Sequence, residues 1–122
     1  MKNIFITLTF FISLTVTGET HTVKMLNQGA EGIMVFEPSV LDINVGDIVI
    51  FEATDAAHNS ESIEGMIPSG ATSWSGALSK NISVTFDVPG IYGYQCTPHS
   101  MMAMVGLISC LLYTSPSPRD RG

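Results

Sequence analysis

Four residues in this sequence bring together an unusual set of donor atoms. Cys96, His99 and Met104 fall within nine positions, and His58 stands 38 residues before Cys96. A thiolate and a thioether are soft donors that suit copper, above all Cu(I), whereas two imidazoles also suit Cu(II). A trigonal set of two His and one Cys with a weak axial Met satisfies both oxidation states poorly but similarly. Little rearrangement then accompanies gain or loss of an electron. Pro98 fixes φ between two of these residues and stiffens the segment. Zinc is the chemical rival, but a structural zinc site takes Cys or His as fourth donor rather than Met. Singly, each residue has a plainer explanation: Cys96 paired with Cys110, His99 on the surface, Met104 in the core. Together they predict a copper centre, and four protein donors leave no open position for a substrate.

Such a site needs a rigid frame, and the surrounding sequence predicts short strands. His21–Leu26 is β-permissive, and 27–32 is rich in turn residues. Ile33–Phe36, Val40–Val45 and Ile48–Ala53 follow, the last β-branched and aromatic. From Ile82 to Val88 apolar and polar residues alternate strictly, and Pro89-Gly90 turns the chain into Ile91–Cys96. No stretch shows a helical period beyond a short turn near Ile63–Met66. The expected fold is all-β, a Greek-key sandwich or barrel. Asp55–Gly76 reads as a long loop, a length associated with function. His58 lies within it.

The 122 residues allow one domain. A short start at Met1-Lys2-Asn3 precedes an uncharged run, Ile4–Val16, too short to span a bilayer. With small residues at Val16-Thr17-Gly18, it reads as a signal peptide over 1–18, cleaved near Glu19. The domain is expected over 19–109 in an oxidising, periplasmic compartment. Residues 110–122 hold two closely spaced prolines and both arginines, and no apolar period. They read as a disordered tail, either an ordinary one or an artefact joined where the native frame was lost, with Cys110 as a bystander. The net charge of −6 argues against a nucleic-acid partner.

The run Gly90-Ile91-Tyr92-Gly93-Tyr94-Gln95-Cys96-Thr97-Pro98-His99, closing at Met104, resembles the C-terminal copper loop of the cupredoxins. Further blocks resemble the pseudoazurins: Met25-Leu26-Asn27, Met34-Val35-Phe36-Glu37-Pro38, His58-Asn59, and Met66-Ile67-Pro68. The resemblance runs from about Glu19 to Ser109 and implies an eight-stranded Greek-key fold. It implies one type 1 copper held by His58, Cys96, His99 and Met104. Asn59 would tie the two ligand loops near the Cys96 sulfur, and Met34 would lie close to the exposed edge of the site. His99 would be the solvent-facing ligand, ringed by Pro98, Ala57 and Met101. The implied activity is periplasmic electron transfer without enzymatic turnover. The donor would be a cytochrome c-type protein and the acceptor a nitrite or nitrous oxide reductase, met by a monomer in transient complexes. A copper chaperone or storage protein using Met101 and Met102 is the alternative.

Three features depart from the family pattern. The family's two C-terminal helices have no counterpart here, which predicts an uncovered apolar sheet. Val45-Gly46-Asp47 stands where a Pro-Gly-Asp turn is usual. Where the family often carries lysines around its copper patch, residues 19–109 hold Lys24 and Lys80 against ten acidic residues, a balance of −8. His21 is expected on an exposed strand position, Asp55 and Glu61 in solvent, and Trp74 in the packing.

Overall fold

The computed structural model describes residues 18–112. The expected signal segment, apart from Gly18, and the tail from 113 onward lie outside the described residues. Eight strands form: β1 (Thr20–Gly29), β2 (Gly32–Glu37), β3 (Val40–Asn44), β4 (Ile48–Glu52), β5 (Glu61–Ser62), β6 (Ile82–Thr85), β7 (Gly90–Gln95) and β8 (Val105–Leu111). They make two four-stranded sheets, in the orders β2-β1-β4-β6 and β3-β8-β7-β5. β1 runs parallel to β4 and β3 parallel to β8, while the other pairs are antiparallel. The all-β expectation holds.

Alternation along the strands supplies the core between the sheets. Val23 and Met25 of β1, Phe36 of β2 and Val49 and Phe51 of β4 point inward from one sheet. Ile43, Tyr92, Tyr94, Ile108 and Cys110 come from the other. Aromatic rings fill the centre: Tyr94 meets Phe36 edge-on at 4.7 Å and Phe51 at 5.0 Å, and Trp74 stacks on Phe51 at 5.9 Å. β7 and β8 approach closely because Gly106 lies under Tyr94. A Cβ there would come within 2.2 Å of the phenol.

The strand ends differ from expectation where pairing overrides turn composition. β1 continues through Asn27 and Gln28 to Gly29, because β2 pairs with it almost to the hairpin tip. The strict alternation of 82–88 yields a strand only to Thr85, although Phe86 stays buried. β8 runs two residues past the boundary expected at 109. Cys110 is therefore no bystander in a tail: it is 2 % exposed and pairs across to Ile43 and Gly90. Both cysteines are free.

Asp47 locks the β3–β4 turn at one end of the sandwich. Its carboxylate accepts from the Asn44 N–H at 2.9 Å and the Glu19 N–H at 2.9 Å, and meets His21 Nε2 at 2.9 Å. His21, expected as an exposed strand residue, is instead half-buried against this carboxylate. On the outer face of the second sheet Val40, Ile91, Val105, Leu107 and Leu111 are exposed, the uncovered apolar surface anticipated from the sequence.

Candidate metal centre

The donor atoms converge at the end of the sandwich opposite Asp47's turn. Cys96 follows the last residue of β7, so its position is inherited from a rigid strand. A 3-10 segment, Thr97–Met102, then carries the chain round, a tighter path than the helix-free loop expected. His99 N–H donates to Cys96 O at 3.1 Å and Met104 N–H to His99 O at 3.2 Å. Cys96 N–H donates in turn to Met104 O at 3.0 Å, closing the loop on itself. Ala103, at φ 61°, makes the reversal that returns the chain to β8.

His58 arrives from the other sheet, on the loop after β4. Its Nδ1 stands 3.7 Å from Cys96 Sγ, and His99 Nδ1 stands 3.3 Å from the same sulfur. The two imidazole centroids are 4.8 Å apart. His58, Cys96 and Met104 are wholly buried, whereas His99 is half-buried and faces the edge where Pro98, Ala57 and Met101 are exposed.

His58 has one ring nitrogen committed elsewhere. Nε2–H donates to Asn27 Oδ1 at 2.7 Å, which leaves the Nδ1 lone pair bare and turned to the sulfur. Burial, then the neighbouring charge of His99, push the His58 pKa below the ordinary imidazole value, with Asp55 opposing. The neutral ring a metal requires is thus the favoured form. Asp55 is not simply solvated, because it accepts the Asn27 N–H at 2.7 Å and steadies that strand end.

Asn59 joins the two loops. Its Oδ1 accepts from the Thr97 N–H at 2.7 Å, and its Nδ2 donates to Thr97 Oγ1 at 3.0 Å and to Gly76 O at 3.1 Å. The tie runs through the residue after Cys96. Met34 lies opposite Asn27 in the β1–β2 pairing, with φ 49° breaking the ladder there. Trp74 packs between the sheets and anchors its Nε1–H on Ser60 Oγ at 3.0 Å. Two imidazoles facing one cysteine sulfur, with a buried thioether on the same loop, form a donor set that fits copper.

The family model for copper-binding proteins of the plastocyanin/azurin family matches residues 23–110. A pseudoazurin of Paracoccus pantotrophus is 44 % identical over 89 residues, which is 73 % of this chain and 61 % of that protein. Among solved structures, a pseudoazurin from Sinorhizobium meliltoi aligns at 42 % identity with a TM-score of 0.74, covering 84 % of this chain and 79 % of that one. The chain belongs to the pseudoazurins of the plastocyanin/azurin family. The pseudoazurin of Methylobacterium extorquens AM1 aligns at 38 % identity and TM-score 0.75, over 84 % of this chain and 81 % of its own. This pseudoazurin-family chain spans about six-tenths of the length of the curated pseudoazurins it matches.

Of the residues singled out from sequence, the fold brings His58, Cys96 and His99 together and buries Met104 on the loop that Cys96 opens. Asn59 bridges the two loops through Thr97. Asn27 was only part of a matching block, with no role attached. Its contact with His58 crosses 31 residues, and a polar residue in a turn-like stretch gives no local sign of it.

Proposed function

We propose that this chain is a periplasmic electron carrier in which Cys96 Sγ, His58 Nδ1, His99 Nδ1 and the Met104 thioether would hold one type 1 copper. Copper bound there would supply a one-electron couple between Cu(I) and Cu(II). The observation that carries the reading is the His58 Nε2–H donating to Asn27 Oδ1, which turns the His58 Nδ1 to the same sulfur that His99 Nδ1 faces. The closed loop from Cys96 to Met104 and the Asn59 tie hold the donors in place, so the protein rearranges little when charge changes. Burial of His58, Cys96 and Met104 keeps water from the donors. His99 alone reaches the edge, so electrons enter and leave by its ring. Nothing in this arrangement offers a substrate position, and the chain acts as a carrier, not an enzyme.

Its partners are a cytochrome c-type donor and a nitrite or nitrous oxide reductase, met in transient complexes. Charge then selects among them. With two lysines against ten acidic residues in 19–109, the net field of the domain favours a partner whose surface is basic. Export with cleavage near Gly18 delivers the chain to its compartment.

Adding Cu(II) to the purified protein tests the site. An intense thiolate-to-copper visible band that disappears in Cys96→Ala and cycles reversibly with one electron is the expected result. A band that survives Cys96→Ala overturns the ligand set. Colourless Cu(I) binding without a band points instead to copper trafficking through Met101 and Met102.

A further inference from the structure

Asp47 is a buried carboxylate with no permanent counter-ion. It is 4 % exposed, and among the described residues neither Lys24 nor Lys80 pairs with it. The described residues contain no arginine. A buried charge without a fixed partner is costly, and the His21 ring 2.9 Å away offers a hydrogen bond but a charge only when protonated. Two backbone donors also point at it: the Asn44 N–H on Oδ2 and the nitrogen of Glu19 on Oδ1, each at 2.9 Å. Glu19 is also the residue at which the sequence predicts the exported chain to begin. Just before it, Gly18 presses on the same turn so closely that a Cβ would lie 1.8 Å from Gly46 O. The glycine that this contact requires is also the small residue that an export endopeptidase prefers before its cut.

We propose that Asp47 is the receptor for a new N-terminus, the α-ammonium of Glu19 made by hydrolysis of the Gly18–Glu19 bond. The proposal rests on the export reading above. An endopeptidase of the export route breaks the amide C–N bond with one water. The hydroxyl goes to the Gly18 carbonyl carbon, and the departing segment leaves as a carboxylate. The Glu19 nitrogen takes the water's other hydrogen and the proton that the new carboxyl releases, becoming an ammonium at neutral pH. The donor already 2.9 Å from Asp47 thereby gains the positive charge that the carboxylate lacks. Cleavage one residue to either side would misplace that charge by a full residue. Processing therefore completes the lock between β1 and the β3–β4 turn, at the end of the molecule away from the copper site.

Two measurements separate the proposal from the export reading. Mass analysis of the protein secreted with its own leader should give Glu19 as first residue; another start overturns the proposal while leaving export itself standing. Independently, a chain released to begin at Glu19 is compared with one that retains Gly18, each with Asp47 and with Asp47→Asn. Retaining Gly18 should lower the folding equilibrium constant about tenfold with Asp47, between the worth of exposed and buried pairs, and less than about twofold with Asp47→Asn. Equal losses in both backgrounds overturn the receptor role. Should Asp47→Asn not fold, acylation of the Glu19 amine decides: slow in the folded chain and fast in urea is expected, and equal rates refute it. Stability that falls on chelation, and not on retaining Gly18, would assign the carboxylate with Glu19 and His21 to a divalent cation and overturn the proposal.

Discussion

At the scale of single residues, the centre depends on amides that touch no donor sulfur. Asn27 chooses the tautomer of His58, and groups in such positions typically alter metal affinity 10–100-fold. Asn27→Leu is therefore expected to weaken copper binding by about that range in a chelator competition. Because His58 is buried and loses the partner of its Nε2–H, the metal-free protein should also lose about 1–3 kcal/mol of stability. Asn59→Ala should likewise act on stability, since it strands the Thr97 N–H beside the site and cuts the tie between loops. A loss of about 1–3 kcal/mol in stability, read by denaturant unfolding, is expected. Cys96, His99 and Met104 were legible in the sequence because they share one short loop. His58 could be chosen because it follows the strongest strand. Asn27 could not, because only the pairing of β1 with β4 brings it over the His58 loop.

At the scale of elements, the strands were largely readable and their ends were not. Alternating apolar residues mark β6, and β-branched and aromatic residues mark β4, but β1 extends through turn-rich residues because β2 supplies its hydrogen bonds. Gly106 shows what an element owes to its neighbour. Gly106→Ala would drive a methyl into the Tyr94 phenol, and overpacking of this kind typically costs about 1–3 kcal/mol. A lowered thermal midpoint in the metal-free protein checks it. The Asp47 turn predicts a pH dependence. Burial resists its charge, but hydrogen bonds from the Asn44 N–H, His21 and the Glu19 N–H outweigh burial and hold its pKa below the ordinary value. A depressed carboxylate stabilises the fold fully above its unfolded pKa of about 3.9 and loses that contribution as pH falls through the lower folded value. Unfolding midpoints of the native chain should therefore drop across that acid window more steeply than those of Asp47→Asn.

At the scale of the whole molecule, charge and an open sheet face set the behaviour towards other proteins. Two lysines against ten acidic residues in 19–109 predict that electron transfer to a basic-rimmed partner slows as salt is raised from about 0.01 M to about 0.15 M. Transfer to an acidic partner should quicken instead, and stopped-flow rates at the two salts distinguish them. The outer face carrying Val40, Ile91 and Leu107 has no cover among the described residues. Ile91→Lys with Leu107→Glu should reduce self-association in sedimentation without changing the visible copper band, because these side chains point away from the core.

By itself the sequence determined the class of fold, the donor chemistry and the charge, since alternation, side-chain type and composition are local properties. It placed three of the four candidate ligands on one loop for the same reason. Only the tertiary structure decided that Cys110 belongs to the core, that His21 leans on a buried carboxylate, and that Asn27 orients His58. Each of those depends on two segments far apart in the chain meeting across a sheet or a turn. Side-chain pattern along one strand does not encode which strand will lie beside it.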